Sequence, residues 1–319
     1  FTGIEKFEIM AIPFFILAGN FLTHGGVARR MINFATSMVG HWHGGLGLGG
    51  VVACALFAAV SGSSPATVVA IGAILLPAMV KQGFPNKFGA GVITTSGALG
   101  ILIPPSIVMV MYSVSTNTSV GALFMAGVVP GILLAAFLGF TTWNRARKFG
   151  YPRLPKATWA QRAKAFKDSA WGLFLIVVVM GGIYTGIFTP TEAAAMSAVY
   201  AFFVAVFVYK DLGMKDVPKV LLNSANMSAM LLYIITNAVL FSFLLTHENI
   251  PQEMADFMIG TGVGMIGFLI MANILMLIAG NFMEPSSIVL ILAPILFPIA
   301  IKLGIDPVHF GIIMVVNME

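Results

Sequence analysis

The chain has little charge and almost no cysteine, and both shortages narrow its class. Only 9% of its 319 residues are Asp, Glu, Lys or Arg, whereas 59% are hydrophobic. A soluble domain of this length carries more charge on its surface, so a soluble protein is excluded. The single cysteine, Cys54, excludes an intramolecular disulfide and a cysteine metal cluster. The net charge of +5 does not indicate a nucleic-acid partner, because basic residues in so apolar a chain first report membrane topology.

Long hydrophobic segments repeat along the whole chain and predict an all-α polytopic membrane protein. Residues 173–184, "LFLIVVVMGGIY", are apolar throughout, whereas the strands of an outer-membrane barrel alternate in polarity. The predicted spans are 8–24, a broken pair at 46–80, a broken pair at 88–118, 121–142, 170–188, 190–209, 220–245, a broken pair at 262–301, and 308 onward. The chain begins with Phe1 and stops within an apolar run, so we expect a piece of a longer protein.

A basic segment at 143–169 orients the chain in the membrane. It contains eight of the 17 Lys and Arg residues and one acidic residue, Asp168. This asymmetry predicts a solvated cytoplasmic linker, with the loop 246–256 on the opposite side. Arg29 and Arg30 are further cytoplasmic signals, which we expect to contact the head groups of membrane lipids. The sequence from Thr189 to Glu192 has the spacing of a helix-capping box.

The segment 57–77, "FAAVSGSSPATVVAIGAILLP", is apolar except at its centre, where "SGSSP" interrupts it. Each half is about 10–15 residues long, which is too short to cross a bilayer. We therefore predict a re-entrant hairpin that enters and leaves on the cytoplasmic side. Irregular backbone at membrane depth persists only where it lines a cavity or is buried in protein.

A second copy of this pattern begins with "GNFMEP" at Gly280. Aligning the two copies pairs Pro65 with Pro285, Pro77 with Pro298 after a slip of one residue, Gly83 with Gly304, and Ser96 with Asn317. The alignment predicts a first inverted repeat at 1–142, with a hairpin at 51–80 and a broken helix at 88–118. The second repeat spans 170–319, with a hairpin at 262–301. Two hairpins of opposite orientation are typical of an inverted-repeat secondary transporter.

The polar tips of the hairpins are candidate cation sites. Na⁺ prefers oxygen ligands, and hydroxyls, amide oxygens and unwound carbonyls supply them without burying a net charge. The candidate Na⁺ ligands are Ser61, Gly62, Ser63, Ser64, Ser96, Gly97, Gly280, Asn281, Glu284 and Asn317, and we expect no other metal and no cofactor. The alternative is that the small residues only allow close helix packing, with hydroxyls bonded back to helix carbonyls. For Glu284, cation binding, proton transfer and helix capping all remain open.

The helices that restart after each break direct positive dipole ends toward the same region, which favours an anionic substrate. The candidate substrate-binding residues are Ser64, Pro65, Pro104, Pro105, Ser106, Pro285 and Ser286. An intramembrane hydrolase that uses Ser63 or Ser64 is a competing function of another class. It is disfavoured because the hairpin contains no His or Lys that could act as the base. The sequence also lacks a Walker A motif for ATP-driven transport.

Several ordered motifs, among them "GGLGLGGVVACALFAAVSGSSPATVVAIGAILLPAM", "SGALGILIPPSIVMVMY", "FTPTEAAAMSAVYA" and "LGIDPVHFGIIMVVNME", resemble the large membrane subunit of TRAP transporters. TRAP denotes the tripartite ATP-independent periplasmic family, and the resemblance covers essentially the whole chain. It implies Na⁺-coupled import of organic acids, such as C4-dicarboxylates or sialic acid, across a bacterial inner membrane. It also implies an elevator-type transport domain.

The resemblance implies two protein partners, a small membrane subunit, separate or fused, and a periplasmic substrate-binding protein. Family members usually continue after "VVNME" with a Pro-Pro pair, so we expect the C-terminal part of the second repeat to lie beyond residue 319. Family members also often have Thr at the position of Ala293. Alanine has no hydroxyl, so this departure weakens the prediction of a hydroxyl ligand at that position. The alternative within transport is a stand-alone cation-coupled anion transporter of a related hairpin fold.

Overall fold

The computed structural model describes residues 6–250 and 264–318, together with residues 253, 256 and 260. The described residues form helices and connections, with no β-strand among them. By length and composition, seven helices of this part could each cross a membrane. The prediction of an all-α polytopic membrane protein is therefore confirmed. The start of the predicted second hairpin, 262–263, and part of the loop 246–256 lie outside the described residues.

A short 3₁₀ turn, Phe7–Met10, precedes the first helix. The helices are α1 Ala11–His24, α2 Val27–Val39, α3 Gly45–Ser61, α4 Ser64–Lys81, α5 Asn86–Gly97, α6 Leu99–Leu102, α7 Ile107–Thr116, α8 Val120–Lys148, α9 Trp159–Tyr184, α10 Pro190–Phe203 with a π-helical continuation Val204–Val208, α11 Val217–His247, α12 Met265–Gly280, α13 Pro285–Lys302 and α14 Pro307–Asn317.

The predicted hairpins and the first broken helix form where the sequence breaks. Helices α3 and α4 make the first hairpin, and α12 and α13 make the second. The broken helix comprises α5, α6 and α7, with a bend of 42° between its two halves. The 3₁₀ turn and α1 correspond to the predicted span 8–24.

The hairpin arms are longer than the sequence indicated. Instead of half-helices of about 10–15 residues, α3 has 17 residues and α4 has 18. The break is short because Gly62 ends α3 in the left-handed conformation (φ 63°) and Pro65 lies in the first turn of α4. A proline in that turn lacks an N–H that would have no helical partner anyway, so it starts a helix and does not interrupt one. Pro285 begins α13 in the same way.

The two hairpins open toward opposite ends of the molecule. Next to the open end of the first hairpin, the Leu154 N–H donates to the Gly40 carbonyl at 3.0 Å, and the rings of Phe88 and Tyr151 lie 4.7 Å apart. Lys302, at the open end of the second hairpin, pairs with Asp256 at 3.0 Å. Three spanning helices, α9, α10 and α11, separate these two regions along the chain. An odd number of crossings places them at opposite ends.

Two further details differ from the sequence interpretation. The segment 143–169 is not one continuous loop, because α8 continues to Lys148 and α9 begins at Trp159. Basic residues at the end of α8 favour the helix C-terminus, and a capping box between Thr158 and Gln161 starts α9. Helix α2 was not predicted, because an amphipathic helix with two arginines is not a long apolar run. The predicted capping box of Thr189 and Glu192 is confirmed.

Candidate functional site

Both hairpin tips line one cavity of about 420 Å³. The first tip contributes residues 61–66 and the second contributes residues 284–287. The remaining lining comes from α1 (Ile16, Gly19, Asn20), from the broken helix (Ile101, Ile107, Val108) and from α11 (Met227, Met230, Leu231, Ile234). The cavity therefore has small polar groups where the tips meet and an apolar wall on the side of α11.

The first tip is fixed by a chain of hydrogen bonds. The Ile107 N–H donates to the Gly62 carbonyl at 3.1 Å, which ties the tip to the second half of the broken helix. The Thr67 hydroxyl donates to the Ser63 carbonyl at 2.8 Å and lies 2.9 Å from the Ser61 hydroxyl. The Ser61 hydroxyl also donates to the Ser63 carbonyl at 3.4 Å, so both hydroxyls are held at the tip by one carbonyl and by each other.

The broken helix approaches the back of this tip closely. A Cβ built at Gly100 would lie 2.6 Å from the Ser63 carbonyl oxygen. A Cβ built at Gly97 would lie 3.6 Å from the Ser64 carbonyl oxygen. Ser96 is fully buried, and its hydroxyl has no hydrogen-bond partner within the described residues. Ser96 and Gly97 are thus behind the tip and not in the cavity. A buried hydroxyl without a protein partner is usually satisfied by a water or an ion.

At the second tip, Glu284 and Ser286 line the cavity, and the Ser286 hydroxyl donates to Glu284 Oε1 at 2.7 Å. The Glu284 side chain makes no capping hydrogen bond to α13, although its carbonyl accepts from the Ser287 N–H at 3.0 Å. Of the three roles considered for this carboxylate, side-chain capping is therefore not the one the structure shows.

A second polar cluster lies behind this tip. A Cβ built at Gly280 would lie 3.1 Å from the Met318 carbonyl oxygen. The Asn317 amide donates to Asn273 Oδ1 and, at 2.9 Å, to the Ile313 carbonyl. These bonds use the nitrogen of Asn317, and no residue in the described ranges donates a hydrogen bond to its oxygen. Asn281, in contrast, is exposed, donates to the Leu277 carbonyl at 2.7 Å, and does not line the cavity.

The candidate substrate residues divide into two groups. Ser64, Pro65, Pro285 and Ser286 line the cavity. Pro104, Pro105 and Ser106 do not. Pro105 packs behind the tip, with its carbonyl oxygen 2.8 Å from the position of a Cβ on Gly62. Ser106 is buried and caps α7, where its hydroxyl accepts from the Met109 N–H at 3.3 Å.

Sequence reasoning missed three polar residues near the tips. Thr67 lies one helical turn after Ser63, a spacing that signals its bond to the Ser63 carbonyl. Asn20, the one amide in the span 8–24, lines the cavity and donates to the Ser224 hydroxyl at 2.8 Å. Asn273, on α12 of the second hairpin, accepts a hydrogen bond from the Asn317 amide of α14. For Asn20 and Asn273, the signal available in the sequence was an amide side chain inside an apolar span.

Among the described residues, no group of three or more His, Cys, Asp or Glu side chains is arranged to hold a metal ion. Oxygen groups at the two tips are the ligands that this part of the chain offers to a cation.

Comparison with known proteins decides the family. The model of the family "Tripartite ATP-independent periplasmic transporter, DctM component" matches residues 1–319. The chain belongs to this DctM family. It is 77% identical to the C4-dicarboxylate TRAP transporter large permease protein DctM of Rhodobacter capsulatus, over 100% of this chain and 76% of the relative. It is 36% identical to the sialic acid TRAP transporter large permease protein SiaM of Vibrio cholerae, over 99% and 74%.

Another permease relative is the isethionate TRAP transporter permease protein DctMQ of Oleidesulfovibrio alaskensis, at 43% identity over 100% of this chain and 50% of the relative. The fold is similar to the crystal structure of the Alcanivorax borkumensis YdaH transporter. The TM-score is 0.63 at 13% identity, and the match covers 98% of this chain and 75% of that one. These relatives are transporter permeases and not enzymes. The alternative of an intramembrane hydrolase is therefore wrong.

Proposed function

We propose that this permease imports organic-acid anions, and C4-dicarboxylates in the first place, in symport with Na⁺. The large permeases of Rhodobacter capsulatus, Pseudomonas aeruginosa and Vibrio cholerae that are 77%, 55% and 51% identical are named for C4-dicarboxylates. The sialic acid relative is only 36% identical. Sialic-acid-like substrates are therefore the second choice.

The charge of the cavity carries the proposal of Na⁺ coupling. Among the described residues that line it, Glu284 is the single ionisable group, and no Lys, Arg or His lies beside it. A dicarboxylate in this space would meet helix N-termini and hydroxyls but no fixed cation. An uncompensated dianion beside a carboxylate is strongly unfavourable in a low-dielectric site. Bound Na⁺ at the two tips supplies the missing positive charge, which makes substrate binding depend on the ion.

The partners and the motion belong to the same proposal. A tripartite system requires a small membrane subunit, fused in some members, and a periplasmic substrate-binding protein. We place the permease in the bacterial inner membrane, where such a binding protein can reach it. The hairpins and the broken helix would move as an elevator-type transport domain against α1 and α11, which form the opposite wall of the cavity. A stand-alone transporter of the same fold is the competing arrangement.

Uptake of radiolabelled succinate by the complete transporter in proteoliposomes tests the proposal. We expect uptake with an inward Na⁺ gradient and the cognate binding protein, and no requirement for ATP. Replacing Na⁺ by choline at fixed pH should abolish it, and butyrate, which has a single carboxylate, should not compete. Full uptake in choline would contradict Na⁺ coupling. Full uptake without the binding protein would favour the stand-alone arrangement.

A further inference from the structure

A basic cleft lies at the end of the molecule where α2, the start of α9 and the end of α10 meet. Its volume is about 680 Å³. Arg29 and Arg30 of α2 form one side, and Lys164 and Lys167 of α9 form the other. The cleft is remote from the hairpin tips and shares no lining residue with the cavity described above.

The walls of the cleft are held by contacts that do not depend on a ligand. The Arg30 guanidinium lies 3.7 Å above the centre of the Tyr209 ring, and the Tyr209 hydroxyl donates to the Asp168 carbonyl at 2.7 Å. The rings of Phe34 on α2 and Phe166 on α9 are 5.7 Å apart and connect the two helices. Helices α2 and α9 approach closely because of Gly172, where an added Cβ would lie 2.7 Å from Val27. The cleft is therefore preformed.

The charge of the cleft is only partly neutralised. Asp211 pairs with Arg30 and, at 3.1 Å, with Arg29. Lys164 and Lys167 are exposed, and neither forms an ion pair with any carboxylate in the described ranges. The lining contains four basic side chains and the carboxylate of Asp168, so it keeps a positive charge. Lys164 and Lys167 face an open space beside the polar side chains of Asn33 and Gln161. A compact anion with additional hydrogen-bonding groups would fit this pattern.

The position of the cleft indicates where that anion comes from. From residue 170 to the end of α9 at Tyr184 the helix contains no charged residue, and Trp171, Phe174 and Val177 are exposed on it. The cleft therefore lies where α9 passes from charged to lipid-facing sequence, at the depth of the head groups. Trp171 and Val208 also form part of its wall and give it an apolar side. A free anion in solution would gain nothing from an apolar surface, whereas the acyl chain of a lipid would pack against it.

We propose that this cleft binds an anionic phospholipid of the cytoplasmic leaflet, such as phosphatidylglycerol. The phosphodiester lies between Lys164 and Lys167, within reach of Arg29. Asn33 and Gln161 hydrogen-bond the head-group hydroxyls, and the acyl chain passes over Trp171. The bound lipid joins α2, α9 and α10, which are distant in sequence. It thereby stabilises the side of the protein that carries α1, because α10 packs along that helix.

Native mass spectrometry of the complete, detergent-purified transporter tests this site. The protein is titrated with dioleoyl phosphatidylglycerol or dioleoyl phosphatidylcholine, and inorganic phosphate is added as a competitor. We expect selective retention of phosphatidylglycerol, and a decrease in its affinity of roughly 5- to 30-fold for Lys164→Gln combined with Lys167→Gln. Arginine at both positions should preserve binding, which separates charge from folding.

The matched control is Lys148→Gln combined with Lys156→Gln. It removes the same charge from exposed positions of the same basic region outside the cleft. Equal losses in the two double variants would overturn the proposal, because they would show unspecific attraction of acidic lipid. Displacement of the lipid by millimolar phosphate would identify a free-anion site instead. Loss of the small subunit with unchanged lipid binding would identify the cleft as a protein interface. Either result would also overturn the proposal.

Discussion

The Gly62 carbonyl accepts a hydrogen bond from the Ile107 N–H at 3.1 Å, so the tip of the first hairpin is bonded to the restart of the broken helix 45 residues later in the chain. Neither group has a partner within its own helix, because Gly62 ends α3 and Ile107 begins α7. Two interrupted helices thus satisfy each other's free backbone groups at membrane depth. That is the condition under which irregular backbone persists there.

The contact between the Ser61 and Thr67 hydroxyls at the first tip predicts that removing either hydroxyl changes the Na⁺ dependence of uptake. Ser61→Ala and Thr67→Val each remove one member of this pair. We expect the Na⁺ concentration for half-maximal uptake to rise roughly 5- to 30-fold, which corresponds to about 1–2 kcal/mol. A Na⁺ titration of uptake measures the effect.

Thr95→Val is the matched control for that experiment. Thr95 is exposed on α5, next in sequence to Ser96, and its hydroxyl donates to the Gly91 carbonyl at 2.9 Å within its own helix. Its removal should leave the Na⁺ dependence unchanged. If Ser61→Ala and Thr67→Val behave like Thr95→Val and lower only the melting temperature, the hydroxyls are structural and side-chain ligation at this tip is wrong.

The second tip predicts a corresponding effect for Asn317. Because both protons of its amide are directed to Asn273 and Ile313, the oxygen is the group left for an ion. Asn317→Ala should raise the Na⁺ requirement by a similar factor. Asn281→Ala should not, since Asn281 is exposed and bonded one turn back in its own helix. A larger effect at Asn281 than at Asn317 would place the second ion elsewhere.

Close approach of the broken helix to the tip predicts a steric effect at Gly100. A methyl group there would lie 2.6 Å from the Ser63 carbonyl oxygen, against backbone that has little room to shift. We expect Gly100→Ala to lower the melting temperature and to reduce uptake. Gly91→Ala is the control on α5, because a Cβ there meets nothing within 4 Å. It should be neutral or stabilising by up to about 1 kcal/mol. Equal behaviour of the two variants would contradict the packing.

The orientation of the hairpins is tested by accessibility labelling. Lys156→Cys should react with an impermeant maleimide only from the cytoplasm, and Glu248→Cys only from the periplasm. Both residues are exposed, and the native Cys54 is buried, so the background is low. Labelling of both positions from one side would contradict the opposite facing of the two hairpins.

Sequence reasoning succeeded where composition and local pattern act alone. The breaks at Gly62 and before Pro285, and the capping box at Thr189, follow from backbone preferences of a few neighbouring residues. The length of the hairpin arms was underestimated, because a proline in a helix's first turn and a proline that ends a helix look alike in one sequence. Helix α2 was missed because its arginines interrupt the hydrophobic run that served as the search signal.

The sequence by itself determined the membrane class and the positions of the helix breaks, since both are set by the apolar pattern and by local backbone chemistry. Only the tertiary structure decided which polar groups meet. Ser64, Asn20 and Glu284 lie far apart in the chain yet line one cavity, whereas Pro105 and Ser106 turn away from it. The physical reason is that a side chain's direction on a packed helix depends on rotation and crossing angles, which neighbouring helices set and the local sequence does not.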